Sequence, residues 1–322
     1  MFETRITEIL GIKYPIVGGA MMSITDADFV AAISDAGGLG TLASIIYPTA
    51  EGFAAAIDRV RQLTDKPFAV NLNFFPAQFP VSQSDYTEIM VQKGVGIVET
   101  SGHKPPPPEL IQRFKEAGMV WIHKCTGLRY ARKAQGLGAD IVTVVGHEMG
   151  GATGRYDLGT IVIVPTVAKG VDVPVIGGGG VVDGRGLVAV LALGADAALM
   201  GTRLVLTREC PVHDRLKQAL LNATELDTMI VMKTVATHRV WINRAANRCA
   251  ELEEKGADFF TDILDIVSGE RARKVYLEGD LDAGIVSCGQ GVGQIHDIPT
   301  VKQLFDGIMA QAAEVVGRLA RG

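Results

Sequence analysis

The chain has 322 residues, 48% hydrophobic and 21% charged, with a net charge of −5 at neutral pH. One large domain with an insertion fits that length, the negative balance gives no general attraction to nucleic acid, and no apolar run approaches the ~18–20 residues of a membrane span. Cys125, Cys210, Cys249 and Cys288 lie far apart without CxxC spacing, and Met1-Phe-Glu-Thr-Arg lacks the basic and apolar parts of a signal peptide, so reduced thiols, no metal site and a cytoplasmic location are expected.

Eight short apolar runs follow in order, each closing on a polar or glycine-rich segment. The first is Tyr14 to Gly18, followed by a helix capped by Thr25 or Asp26 and ending at Ala36. The second is Leu39 to Leu42, with a helix from Thr49 to Leu63 behind it. The third, Pro67 to Asn71, leads into Asn73-Phe-Phe-Pro-Ala-Gln-Phe-Pro-Val-Ser82, which reads either as an active-site lid or as a packed surface loop. Pro105–Pro108 reads as a rigid bend. The fourth run is Ile97 to Thr100. The fifth, Val120 to Lys124, precedes a helix reaching Leu137. The sixth is Ile141 to Val145, and the last two end in Gly177-Gly-Gly-Gly180 and Met200-Gly-Thr202, with a helix from Gly184 to Leu193 between them.

These runs are apolar almost throughout, as parallel strands buried on both faces are. Their alternation with helices predicts an α/β fold, a (β/α)8 TIM barrel with a helical insertion after strand eight. Residues 1–210 and 283–322 make the barrel. Residues 211–282, with amphipathic stretches at Arg215–Leu221 and Ala245–Lys255, make the insertion and cover the barrel mouth. A final helix from about Val301 to Leu319 closes the barrel.

In this fold the active site lies at the C-terminal strand ends, and loops seven and eight commonly hold a phosphate. Glycine there lets backbone N–H groups approach an anion. The other ends supply Gly18-Gly-Ala-Met-Met22, Asn71, Glu99-Thr-Ser-Gly-His103, His123-Lys-Cys125 and Gly146-His-Glu-Met-Gly-Gly151. A flavin needs such a set: small residues and a flexible Met against its ring, Asn71 on its polar edge, and the Lys124 charge near N1 to favour the reduced form.

The chain resembles the nitronate monooxygenase family, formerly the 2-nitropropane dioxygenases, and the related NADH:quinone reductases and FMN-dependent enoyl-acyl-carrier-protein reductases. The resemblance rests on Pro15-Ile-Val-Gly-Gly-Ala-Met21, Asp35-Ala-Gly-Gly-Leu-Gly40, Asn71, Val98-Glu-Thr-Ser-Gly102, His123-Lys-Cys125, Asp183-Gly-Arg-Gly186, Leu193-Gly-Ala-Asp196, Met200-Gly-Thr-Arg203 and Thr207-Arg-Glu-Cys210. The quinone reductase branch is most similar, through Lys124-Cys-Thr126, the Pro76–Pro80 lid and Arg208–His213. The resemblance implies noncovalent FMN. Its phosphate would lie on Gly178, Gly179, Gly180, Gly201 and Thr202. Its ring would lie by Gly19, Ala20, Met21, Asn71, Lys124, Gly150 and Gln290. The lid at Pro76 and Gln78 would contact NAD(P)H.

One position departs from the family pattern. After strand six the family reads Gly-x-Glu-x-Gly-Gly-His, and here alanine, Ala152, stands where that His would act as base. Alanine has no proton to move, whereas hydride transfer from NAD(P)H needs positioning rather than a side-chain base. His147, Tyr156 and His103 are the replacements the sequence offers. The expectation is an FMN-dependent NAD(P)H oxidoreductase passing electrons to a quinone or an activated C=C bond. Nitronate oxidation and a non-redox phosphate-binding barrel are the alternatives. A small-molecule substrate and a homodimer are expected.

Overall fold

The computed structural model describes residues 2–74, 81–102, 104–154, 156–235 and 237–321. A short helix, α1 (Arg5–Leu10), comes first. There follow β1 (Ile16–Gly18), α2 (Ala27–Asp35), β2 (Gly40–Ala43), α3 (Ala50–Leu63), β3 (Phe68–Phe74), α4 (Gln83–Gln92), β4 (Ile97–Gly102), α5 (Pro108–Glu116), β5 (Val120–Cys125), α6 (Leu128–Leu137) and β6 (Ile141–Val145). A two-residue strand, β7 (Gly151–Ala152), precedes α7 (Thr160–Ala168), β8 (Val175–Gly178), α8 (Gly184–Ala192) and β9 (Ala197–Met200). The rest is α9 (Thr202–Val205), α10 (Asp214–Leu221), β10 (Thr228–Val231), β11 (His238–Trp241), α11 (Arg244–Glu254), α12 (Gly269–Arg273) and α13 (Val301–Leu319).

Eight parallel strands pair in the order β1-β9-β8-β6-β5-β4-β3-β2. The ends meet where the Gly18 N–H donates to the Leu39 carbonyl and the Leu39 N–H to the Ile16 carbonyl, both at 2.9 Å. The fold is therefore the (β/α)8 barrel that the run of strands implies. Strand alternation sends Ala69, Ile97, Ile122, Ile141, Val145, Ile176, Ala197 and Leu199 toward the axis, where α1 adds Ile6 and Leu10. The alternate residues, among them Val70, Val98, Trp121, Val142 and Ala198, pack outward on the helices. Thr300 caps α13 in a capping box, and Pro108 starts α5 at the helical position where its missing N–H costs nothing.

The segment after β9 differs from its helical expectation. Besides α10 and α11 it contains the β10–β11 hairpin, and β11 also pairs with β7 to give a three-stranded antiparallel sheet. Val231, Val240, Ala245, Ala246, Cys249, Ile263 and Ile285 form a small core of its own. Among the described residues no helix is long and apolar enough to cross a membrane.

His123 belongs to the outer layer, not to the mouth. It is 5% exposed, and its Nδ1 lies 2.7 Å from the Thr100 hydroxyl, which accepts the Trp121 indole N–H at 2.8 Å. With no carboxylate among these contacts, burial favours the neutral ring. Burial pushes its pKa from 6.5 down to about 4. Between those values the unfolded chain takes up a proton that the folded chain refuses, so this contribution to stability is lost as pH falls. At about 1.4 kcal/mol per pH unit it amounts to about 3 kcal/mol. Urea unfolding of wild type and His123→Gln should therefore give a stability difference that shrinks by roughly this amount on acidification through the window. A pH-independent difference would contradict the neutral ring.

Candidate active site

Four polar side chains meet on the axis at the C-terminal end of the barrel. By strand alternation Asn71 on β3, Glu99 and Ser101 on β4, and Lys124 on β5 all point inward. The Asn71 amide donates to Glu99 Oε1 at 2.7 Å and to Ser101 Oγ at 3.2 Å. Lys124 Nζ lies 4.0 Å from Glu99 Oε1. Glu99 is 1% exposed, whereas the Lys124 side chain keeps 21% of its surface and faces the opening. Asn71 and Lys124 were legible from the sequence; Glu99 was not singled out. Its signal was the pattern Ile97, Glu99, Ser101, an acid on the inward parity of a buried strand. Thr41 and Thr143 follow the same inward parity, and their buried hydroxyls have no partner among the described residues.

Across the mouth, β8 and β9 end in the expected glycine loops. Gly179 has φ +109°, and a Cβ there would lie 2.5 Å from the Thr160 hydroxyl, so only glycine fits. That hydroxyl lies 2.9 Å from the Gly179 carbonyl, 3.2 Å from that of Gly178 and 3.0 Å from Glu148 Oε2. Its single proton serves one of these acceptors at a time. The Glu148 carboxylate also accepts the Thr160 N–H at 3.0 and 3.1 Å. The N–H groups of Gly180, Gly201 and Thr202 have no acceptor among the described residues. Three unpartnered donors at two adjacent strand ends suit an anion.

Two further segments border this cradle. Gly289 donates its N–H to Thr202 Oγ1 at 2.9 Å, and Gln290 donates to the Glu148 carbonyl at 2.9 Å. At Gly150 a Cβ would meet the Cys288 and Gly289 backbone at 2.7 Å. On the β1 side the Gly19 N–H donates to the Met200 carbonyl. Thr25 accepts from the Met21 N–H and donates to its carbonyl, while Asp26 caps α2. Met21 Sδ comes to 3.9 Å from where a Gly201 Cβ would stand, so the loop after β1 approaches the loop after β9.

The structure thus brings Gly19, Met21, Gly150, Gly178, Gly179, Gly180, Gly201, Thr202 and Gln290 around one opening, with Ala20 in the same β1 loop. The proton-carrying candidates fare differently. His147 Nε2 is buried 3.1 Å from Asp157 without a hydrogen bond among the described residues, and Arg239 donates to the His147 carbonyl at 2.9 Å and lies 3.3 Å from its Nδ1. Tyr156 is 65% exposed before α7 and makes no hydrogen bond among the described residues. Pro76, Gln78 and His103 lie outside the described residues. Burial pushes the thiols of Cys125, Cys210 and Cys288 up to about 12 and that of Cys249 to about 11, so none is a thiolate nucleophile at neutral pH.

These residues fit a flavin mononucleotide. The open N–H cradle suits its phosphate, the glycine and methionine loop offers a surface for the ring, and the Asn71–Lys124 pair offers an amide and a cation to its polar edge.

A family model described as nitronate monooxygenase matches residues 3–311. The chain is 32% identical to a (3aS,4S,5R,7aS)-5-hydroxy-7a-methyl-1-oxo-octahydro-1H-indene-4-carboxyl-CoA dehydrogenase of Rhodococcus jostii, over 98% of each chain. It is 30% identical to a probable nitronate monooxygenase of Staphylococcus aureus, over 71% of this chain and 75% of that one. The solved structure of FabK from Thermotoga maritima superposes with a TM-score of 0.91 at 33% identity, covering 99% of both chains.

Thr160→Val keeps the shape of the phosphate loop's support and removes its hydroxyl. FMN fluorescence titration should show affinity about tenfold weaker, a loss of about 1.4 kcal/mol. Unchanged affinity would separate the Glu148–Thr160 contact from the loop's function.

Proposed function

The chain belongs to the nitronate monooxygenase family, and from that premise we propose an FMN-dependent reductase that takes hydride from NAD(P)H and passes it to a carbon–carbon double bond conjugated to a thioester carbonyl. It is a flavin-dependent oxidoreductase; the donor and the acceptor are the proposed part. The observation that carries this reading is the lysine-bearing floor facing an unpartnered N–H cradle across one mouth. Support for a thioester acceptor comes from the Rhodococcus relative, whose name contains a carboxyl-CoA group.

FMN, when bound, supplies hydride acceptance and donation. The cradle at Gly180, Gly201 and Thr202 would anchor its phosphate. Lys124 would place a positive charge beside the ring edge that becomes negative on reduction, and Glu99, itself held by the Asn71 amide, faces that ammonium. The insertion, residues 211–282, would exclude water above the mouth. At position 152 there is only a methyl group, so the proton step of nitronate oxidation has no donor or acceptor there. The Staphylococcus relative's name nevertheless keeps nitronates among the substrates to test.

The test is anaerobic mixing of the FMN-loaded protein with NADH, with NADPH and with a nitronate, followed by crotonyl-CoA or a quinone. Bleaching by a nicotinamide nucleotide and recolouring by crotonyl-CoA are expected. Bleaching by the nitronate alone, or failure to bind FMN, overturns the proposal. Lys124→Met should slow bleaching by about 10–100-fold, about 1.4–2.7 kcal/mol of barrier.

A further inference from the structure

The segment from Gly150 to Gly154 bridges the mouth. At one end Gly150 packs on the Cys288–Gly289 backbone, which is bonded to Thr202 of the phosphate side. At the other, a Cβ on Gly154 would lie 3.1 Å from the Thr126 side chain, just beyond Lys124 at the end of β5. Ala152 stands in the middle of these five residues. β11 pairs with this bridge in antiparallel register, His238 opposite Ala152 and Arg239 opposite Gly151. Residues directly opposite in such a pair project on the same face with Cβ atoms about 5 Å apart.

The two faces of this ribbon are put to different uses. On one, a Cβ on Gly151 would lie 3.5 Å from Ser287 Oγ, and Arg239 reaches the His147 carbonyl and the Thr228 hydroxyl. The other carries Ala152 and His238. Further along, that second face sends Val231 and Val240 into the small core of the insertion. Ala152 and His238, at the edge of that face on the bridge, are both half-buried. The Thr153 N–H donates to the Thr237 carbonyl at 3.0 Å, fixing the start of β11 on the bridge.

The other described imidazoles are placed elsewhere. His123 faces the helices, His147 lies against Arg239 on the opposite face of the ribbon, His213 caps α10 through its side chain, and His296 is exposed beyond β9 and the return segment. From this geometry we propose that His238 is the proton-transfer residue of the site, supplying from the opposite strand the group that Ala152 lacks. This rests on the proposed reductase reading. Hydride originating on NAD(P)H forms the C–H bond at the β-carbon of the enoyl thioester. The C=C π pair moves toward the thioester carbonyl as an enolate. The enolate then takes the proton of the His238 imidazolium to form the α-carbon C–H bond, the N–H pair stays on the ring, and water reprotonates it.

The experiment compares wild type, His238→Ala and the swap Ala152→His/His238→Ala, each loaded with FMN. Flavin bleaching by NAD(P)H is read separately in each, so that turnover is compared against the hydride step. Crotonyl-CoA turnover in His238→Ala should fall at least about 100-fold in kcat with little change in KM, and the swap should recover at least tenfold of it. In D2O the wild type should place α-deuterium on one face of butyryl-CoA, and His238→Ala should scramble it. Independently of turnover, carbethoxylation of His238, read by mass spectrometry, should be slowed by butyryl-CoA in the FMN-loaded protein. Wild-type kcat and retained stereochemistry in His238→Ala, or no protection, overturn the assignment. A wild type that never bleaches with NAD(P)H fails the reductase reading instead. One that bleaches but leaves crotonyl-CoA untouched fails its acceptor, and the protection arm then decides His238 by itself.

Discussion

The Glu148 carboxylate is the tie on which the mouth depends. Its oxygens accept the Thr160 N–H and face the Thr160 hydroxyl, which reaches the carbonyls of Gly178 and Gly179. Its own backbone carbonyl accepts from Gln290. Three stretches far apart in the chain thus share one residue: the β6–β7 connection, the phosphate loop and the return from the insertion. Charge-assisted hydrogen bonds are roughly twice as strong as neutral ones, so an anion is a better tie here than an amide. The charge is balanced locally by Arg239, which feels Glu148 and Asp157 and donates to the His147 carbonyl. Through that arginine the same tie extends to β11, and so to the insertion.

The floor of the barrel is costly by comparison. Glu99 is almost fully covered and its cation stands 4.0 Å away, too far for a direct hydrogen bond. Removing two charges from water is repaid only when geometry is excellent, and apolar replacements of a buried pair are often as stable or more so. The layer beneath, with Ala69, Ile97, Ile122 and Ile141, shows that this barrel fills its axis with hydrocarbon where nothing else is asked of it. The acid, amide and ammonium one step higher are therefore explained by what they present to a ligand, not by stability. Glu99 acts on Lys124 and Asn71, holding one by field and the other by a 2.7 Å bond.

How much of this was legible in the sequence follows the range of the signals. Barrel strands buried on both faces leave continuous apolar runs, and glycine loops seven and eight leave a local mark, so the fold and the cradle could be read directly. The choice between Thr25 and Asp26 as cap could not: both oxygens are acceptors, and only the turn at Met21 decides that Thr25 closes the loop while Asp26 caps the helix. The hairpin was hidden because its strands have only four residues each and their connection has no Asn-Gly or Asp-Gly pair. Glu99 was hidden by its setting, a single acid inside a motif that reads as strand. His238 was hidden more deeply, because its meaning lies in a register with Ala152 that no local pattern encodes.

Placing the imidazole on β11 changes what holds it. A histidine at position 152 would be positioned by a two-residue strand and the glycines around it. His238 instead begins a strand paired on both sides, with Val231 on one edge and Ala152 on the other, and its neighbour Arg239 is bonded at the His147 carbonyl and the Thr228 hydroxyl. Reacting groups must be held to within fractions of an ångström to be effective, and paired strands provide that better than a glycine-rich bridge. The consequence is a division of labour between the two parts of the chain. The barrel strands carry the cradle and the Lys124 charge, and the insertion carries the proton. The bridge from Gly150 to Gly154 is then the joint at which the two must agree, and the methyl group of Ala152 leaves the space in which they can meet a substrate.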